Sequence, residues 1–222
     1  MKTVCIIPVN KLDNIKSRLS NFFSIEQRIE LNIKMLNDVL LAIKYSKNID
    51  ETYIVTPDNN VINIIKKFKC RYLLEKKKLG VNIAVQKAIS KSIIEGATAA
   101  IILPSDIPLI SSDEIDRIIN HGKTKNTVII TPAKRFDGTN SLFLHPPKII
   151  NTYYDQNSFI THYNEAVENN SKVNIFISKN IMLDLDSISD LKEFVKIKSS
   201  KIMNILFFVI CILIYQLIQQ LF

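Results

Sequence analysis

The sequence predicts an α/β fold, a mostly parallel sheet flanked by helices, and three observations carry that prediction. Through residues 1–198, short β-branched runs alternate with helical patterns, the order expected of strands joined by crossover helices. Two acidic motifs stand at the ends of apolar runs far apart in the chain: Ala100-Ile101-Ile102-Leu103-Pro104-Ser105-Asp106-Ile107-Pro108 and Ile181-Met182-Leu183-Asp184-Leu185-Asp186-Ser187. A buried strand that stops at an Asp puts its carboxylate at the carboxyl edge of a sheet, where open α/β sheets bind ligands. Finally, the 222 residues are 47% hydrophobic and 23% charged, a globular composition with room for one well-buried domain.

Val4–Val9 reads as a buried first strand with no signal-peptide core or cleavage site around it. Ser24 and Gln27 have capping-box spacing, and Ile29, Ile33, Leu36, Leu40 and Ile43 then recur at helical intervals, predicting a helix over 25–46. Further strands are expected at 52–55, 71–74, 99–103, 128–131, 141–144 and 173–177. Helices are expected at 59–68, 81–95, 112–121, 158–169 and 187–197, two of them opened by the capping boxes Ser111 with Glu114 and Ser187 with Asp190. The close spacing of 128–131 and 141–144 predicts an antiparallel excursion.

Residues 202–222 carry no charge and are mostly apolar, interrupted by Asn204, Gln216, Gln219 and Gln220. About 20 such residues suffice to span a bilayer. Lys192, Lys196, Lys198 and Lys201 precede the run, which would keep the domain in the cytoplasm as a tail-anchored protein. A dimer-forming or core helix is the other reading of the same segment.

The formal charge of +8 implies anionic partners, although dispersed lysines equally describe a solvated face. The one basic run, Lys76-Lys77-Lys78, lacks interleaved aromatics, which argues against nucleic acid. Three cysteines, Cys5, Cys70 and Cys211, are an odd count without metal-type spacing, as in a reduced cytosolic chain. His121, His145 and His162 stand apart, so no zinc cluster is indicated.

Two sheet edges bearing carboxylates can hold one Mg²⁺ between them, with water and substrate phosphates completing its coordination. That points to phosphate chemistry. Lys16 and Arg18, two residues apart after the first strand, can clamp a triphosphate, and they also fit a plain solvated loop. No glycines lie in that loop, which excludes a Walker-type P-loop. Gly80-Val81-Asn82 opens a helix whose amides can face a nucleotide or make an ordinary turn. Gly138-Thr139-Asn140-Ser141 is one hydroxyl-bearing turn. In the other, Ser158 occupies an expected N-cap and can either receive a phosphate or simply cap. His162, one turn on, reads as an orienting hydrogen-bonder. There is no nucleophile, base and orienter set.

Taken in order, several segments resemble the 2-phospho-L-lactate guanylyltransferase family of coenzyme F420 biosynthesis. They are Pro8-Val9, Lys16-Ser17-Arg18-Leu19, Gly80 with Asn82 and Ala84, Leu103 to Pro108, Gly138-Thr139-Asn140, Pro146-Pro147, Ser158-Phe159 with His162, and Leu183-Asp184-Leu185-Asp186. The resemblance spans roughly residues 1–195. It implies a nucleotidyltransferase fold of the glycosyltransferase-A type and transfer of GMP from GTP to the phosphate of 2-phospho-L-lactate, giving lactyl-2-diphospho-5′-guanosine and pyrophosphate. It further implies Asp106, Asp184 and Asp186 as the acids holding Mg²⁺, with Asp106, Lys16 and Arg18 catalytic. Lys11, Lys16, Arg18, Gly80 and Asn82 fall on the nucleotide side, and Thr139, Asn140, Asp155 and Ser158 on the acceptor side.

Two positions depart from the family pattern. Asn10 replaces a usual lysine, with Lys11 adjacent, and Asp155 replaces a usual glycine, so that an acid stands beside an anionic acceptor. The same transfer onto phosphoenolpyruvate or 3-phosphoglycerate is therefore an alternative. Guanylylation of a molybdenum cofactor is disfavoured by the missing glycine-rich loop. A non-catalytic, membrane-tethered nucleotide-binding protein is the reading from another class, against which the three retained acids argue. A homodimer is a further candidate assembly.

Overall fold

The computed structural model describes residues 1–12, 16–75, 80–155 and 157–197. In chain order the elements are β1 (Thr3–Pro8), α1 (Ile25–Tyr45), β2 (Glu51–Thr56), α2 (Asn59–Ile65), β3 (Arg71–Leu74), α3 (Val81–Ile94), β4 (Ala99–Ile102) and α4 (Ser112–His121). There follow β5 (Thr127–Pro132), β6 (Thr139–His145), α5 (Ser158–Glu168), β7 (Lys172–Ile175), α6 (Lys179–Met182) and α7 (Ile188–Ile197). Single 3-10 turns occupy Ser17–Leu19 and Lys66–Phe68.

The strands make one sheet in the order β3-β2-β1-β4-β6-β5-β7. Pairings β1–β2, β1–β4, β2–β3 and β5–β7 are parallel, whereas β6 runs antiparallel to both β4 and β5. The predicted antiparallel excursion is thus the insertion of β6 between β4 and β5.

Helices cover both faces, which is why the central strands read as unbroken apolar runs rather than alternating ones. Along β1, Cys5 and Ile7 join a cluster with α1, α2 and α4, while Val4 and Ile6 join one with α3 and α5. Helix α1 starts where its sequence demands. Gln27 N donates to Ser24 Oγ at 3.3 Å, and Ser24 N donates to Gln27 Oε1 at 2.9 Å. Its Leu36, Val39, Leu40 and Ile43 then pack on the sheet.

A third cluster positions the chemistry. Leu19, Phe23, Leu31, Met35, Leu109, Leu183, Leu185, Leu191 and Phe194 pack together beyond the carboxyl ends of β1 and β4. Truncating one of the fully buried members, such as Leu185, costs about 2–5 kcal/mol by cavity formation, so the loops that meet here are firmly seated.

The second acidic motif differs from its sequence reading. Ile181-Met182 lies in the one-turn helix α6, not in a strand, because Ser178 caps that turn by accepting from Ile181 N at 3.4 Å. The chain becomes extended only at Leu183 (φ −94°, ψ 99°). From there a period of two buries Leu183 and Leu185 in the third cluster and leaves Asp184 and Asp186 partly exposed. Likewise β4 ends at Ile102, four residues before Asp106, so that acid stands on a loop. The two loops are joined directly, since Leu185 N donates to Asp106 O at 3.1 Å.

The expected helix over 202–222 and the Lys76-Lys77-Lys78 run lie outside the described residues. Among the described residues, no helix is long and apolar enough to cross a membrane.

Candidate active site

Two cavities open over the carboxyl edge of the sheet. One, of about 270 Å³, is lined by residues that include Asn10, Val55, Glu75, Gly80, Asp106 and Tyr154. The other, of about 330 Å³, includes Arg18, Lys134, Arg135, Asp155, Ser158 and Asp184. Thr139 and Tyr154 line both, so these residues mark the junction.

Lys16 is buried beside the acids of these two cavities without lining either. Its side chain is 2% exposed, and its ammonium donates to Asp106 at 2.7 Å and also to Asp186. Burial by itself would lower the lysine pKa, but the attraction of Asp106 and Asp186 and their hydrogen bonds outweigh it and hold the ammonium above the ordinary lysine value. The backbone of Lys16 lies in the left-handed region (φ 59°, ψ 46°), which costs an L-residue roughly 1–2 kcal/mol. The paired carboxylates offset that strain.

Asp184 completes the acidic group. Burial first, and then the nearby charges of Asp106 and Asp186, push its carboxyl above the usual range, although a hydrogen bond from Asn140 opposes the shift. Asn140 Nδ2 lies 3.3 Å from Asp184 Oδ1 and 2.9 Å from Ile181 O. Glu114 fixes the same loop from below: its carboxylate accepts from Ser178 Oγ, and from Asn180 Nδ2 at 3.2 Å.

Hard oxygen donors crowded enough to repel one another, with an ammonium already between two of them, fit a divalent cation such as Mg²⁺. Among the described residues no three His, Cys, Asp or Glu side chains converge into a complete metal site. Such an ion would therefore rest on one or two of these carboxylates and on substrate phosphates, the usual arrangement for Mg²⁺.

Behind Thr139, His162 is fully buried and its partners fix its proton. Tyr153 N–H donates to Nε2 at 2.8 Å, so Nε2 is the bare nitrogen and Nδ1–H faces Thr139 Oγ1 at 3.0 Å. Burial lowers the imidazole pKa to about 4, and the ring stays neutral near pH 7. Ser158 Oγ lies 3.3 Å from Thr139 Oγ1 and donates to it. With two donors already directed at its oxygen, the Thr139 hydroxyl hydrogen is left for the cavity. Ser158 itself does not cap α5 as expected. Asn157, left-handed at φ 56°, is the N-cap, and it turns Ser158 inward to 2% exposure.

Asp155 also finds a partner. Its Oδ2 accepts from Asn82 Nδ2 at 3.0 Å, and Asn82 Oδ1 accepts from Tyr154 N at 2.7 Å. The acid is therefore turned onto an amide, and Asn82, expected on the nucleotide side, staples the start of α3 to the acceptor loop. Arg18, expected on the nucleotide side, lines the cavity of about 330 Å³ with Asp155 and Ser158 rather than the one with Gly80. Asn10 lines the cavity of about 270 Å³ with Gly80, whereas the adjacent Lys11 is exposed and outside its wall.

Sequence reasoning missed Lys134 and Arg135, which follow β5 and line the same cavity as Asp155 and Ser158. Lys134 pairs with Glu193 on α7. The signal available was a basic pair just past a strand end. Glu75, which lines the other cavity, was missed as well.

Residues 3–204 match the family model described as guanylyl transferase CofC like. The chain belongs to the CofC-like guanylyl transferase family. It is 34% identical over 190 residues to the 2-phospho-L-lactate guanylyltransferase of Methanocaldococcus vulcanius, covering 86% of this chain and 83% of that protein. It is 26% identical over 193 residues to the phosphoenolpyruvate guanylyltransferase of Sphaerobacter thermophilus, covering 87% and 92%. A solved candidate nucleotide-diphospho-sugar transferase from Desulfovibrio desulfuricans shares the fold, with a TM-score of 0.77, 14% identity and 94% of each chain covered. A CofC-like chain is thus a guanylyltransferase by family, on an α/β scaffold that nucleotide-transferring proteins share.

Proposed function

We propose that this guanylyltransferase moves GMP from GTP onto the phosphate of 2-phospho-L-lactate, in coenzyme F420 biosynthesis. The observation that supports it best is the Lys16–Asp106–Asp186 cluster with two cavities meeting at Thr139 and Tyr154. The cavity at the start of α3, lined by Gly80 and Asp106, would take the nucleotide, and the one lined by Asp155 and Ser158 a small phosphorylated acid. A phosphate oxygen of the acceptor attacks the α-phosphorus, the bond to the β-phosphate oxygen breaks, and pyrophosphate leaves. The acceptor phosphate is already ionised near pH 7, so the chain needs no general base.

What it must supply is alignment of two anions and neutralisation of their charge. Lys16, held by Asp106 and Asp186, would add positive charge beside the phosphates. Arg18, Lys134 and Arg135 would meet acceptor oxygens in a cavity that Asp137, Asp155, Asp184, Asp186 and Asp190 also line, and the oriented Thr139 hydroxyl would donate to those oxygens. One or two of Asp106, Asp184 and Asp186 would hold Mg²⁺, which when bound supplies positive charge against the phosphates.

Thr139→Val keeps the shape and removes the hydroxyl. It is expected to raise the acceptor KM by about tenfold with a smaller change in kcat, the loss of one hydrogen bond to a charged group. An unchanged acceptor KM would count against the assignment.

Phosphoenolpyruvate is the second reading, favoured by the Sphaerobacter relative and by Asp155 at the acceptor loop. Pyrophosphate release by the full chain with GTP, Mg²⁺ and each of 2-phospho-L-lactate, phosphoenolpyruvate and 3-phosphoglycerate decides among acceptors. Release with none, by folded protein that binds GTP, would favour a non-catalytic role. The uncharged run 202–222 behind Lys192, Lys196, Lys198 and Lys201 supports attachment to the cytoplasmic face of a membrane. Extraction by carbonate or high salt alone would exclude a spanning anchor.

A further inference from the structure

Of the acids lining the nucleotide cavity, Asp106 is bound by Lys16, whereas Glu75 Oε1 is shut off from solvent and has no hydrogen-bond partner among the described residues. A carboxylate oxygen without donors in such a place is costly, and the backbone leaves it little freedom to escape. Glu75 N donates to Thr56 O at 2.9 Å, which extends the β2–β3 pairing by one residue and fixes where the side chain starts.

The other side of the same cavity offers the opposite chemistry. Gly80, at φ +95°, opens α3 without a side-chain cap, so the first amides of that helix retain N–H groups that no capping side chain satisfies. A planar ligand lying between Glu75 and the start of α3 would meet acceptors from one and donors from the other.

We propose that Glu75 selects guanine, its carboxylate accepting from N1–H and the N2 amino group while an amide at the start of α3 donates to O6. The proposal rests on the reading of this cavity as the GTP site. Adenine presents a lone pair at N1, which faces a carboxylate unfavourably, and hypoxanthine lacks the N2 amino group.

The sheet supplies the span. In the order β3-β2-β1-β4, the end of β3 is three strand spacings, about 14 Å, from the end of β4. Base and ribose fit between Glu75 and the Asp106–Lys16 junction, which puts the α-phosphate where the acceptor cavity begins. Asp155 is a poor substitute reader, because Asn82 already donates to it.

The test is calorimetric binding of GTP, ITP and ATP, without acceptor, to the full chain and to its Glu75→Gln and Glu75→Ala forms. The natural chain should prefer GTP over ITP, and over ATP more strongly, by about tenfold or more. Glu75→Gln should lose at least about tenfold in GTP affinity, bring the GTP-to-ITP ratio towards one and gain relative affinity for ATP, because an amide can donate to N1 and accept from N6. Glu75→Ala should lose the preference without the gain for ATP. Variants that keep the natural GTP-to-ITP and GTP-to-ATP ratios, or that lose all three nucleotides equally, would overturn the role of Glu75 and leave the GTP site standing. Equal binding of all three by the natural chain would overturn the GTP reading itself.

Discussion

Asp106→Asn is expected to lower kcat for GMP transfer by about two orders of magnitude or more, the size of effect seen when one preorganised electrostatic group is removed from a site. Asp106 is one of the two carboxylates that hold the buried Lys16 ammonium, and it lines the cavity proposed for the nucleotide. An amide of the same size keeps the shape, but it withdraws the charge that steadies Lys16 and would help hold Mg²⁺. The backbone link from Leu185 N to Asp106 O does not depend on the side chain, so the two acidic loops should stay joined. Steady-state pyrophosphate release, read beside a thermal melt, separates the two effects. A folded variant with near-natural kcat would remove Asp106 from the chemistry.

The elements were legible where local rules act alone. The capping boxes at Ser24 and Ser111 are present, as is that at Ser187, whose Oγ accepts from Asp190 N at 3.4 Å while Asp190 Oδ2 accepts from Ser187 N at 2.8 Å. Periodicity found the strand positions because a sheet covered on both faces needs apolar runs of that length.

The errors came from long-range partners. Ile181-Met182 has strand-like composition, yet a serine one turn earlier and the Glu114 carboxylate 64 residues away make it a helical turn. Ser158 carries a good capping side chain, but Thr139 is there to receive its hydroxyl, so the cap passes to Asn157. Asn82 and Asp155 look like independent ligand groups in sequence, and only the fold brings them within a hydrogen bond. The three acids and Lys16 were recognisable as residue types. That a lysine would lie between two of the acids depended on the left-handed turn at its own backbone, which a non-glycine residue does not announce.

Asp184→Asn is expected to move stability and activity in opposite directions. Burial, and then the charges of Asp106 and Asp186, raise the Asp184 pKa above its ordinary value. A raised folded-state pKa means that the carboxyl favours the folded state below its unfolded pKa, near 3.9, and that this contribution is lost as pH rises through the folded value. At pH 7 the ionised Asp184 therefore weighs against the metal-free fold. Asparagine removes the charge and can still accept from Asn140. The melting temperature of the variant in chelator should exceed that of the natural chain at pH 7, and the difference should shrink towards pH 3, where both states of the aspartate are protonated. Guanylyl transfer by the same variant should fall about a hundredfold, for the reason that applies to Asp106. An unchanged or lower melting temperature at pH 7 would show that the acids do not crowd one another. Full activity would show that the crowding serves no purpose in transfer. A chain that keeps an acid at a position where it destabilises the fold is under selection for something other than folding, and under the proposed function that something is the management of phosphate charge.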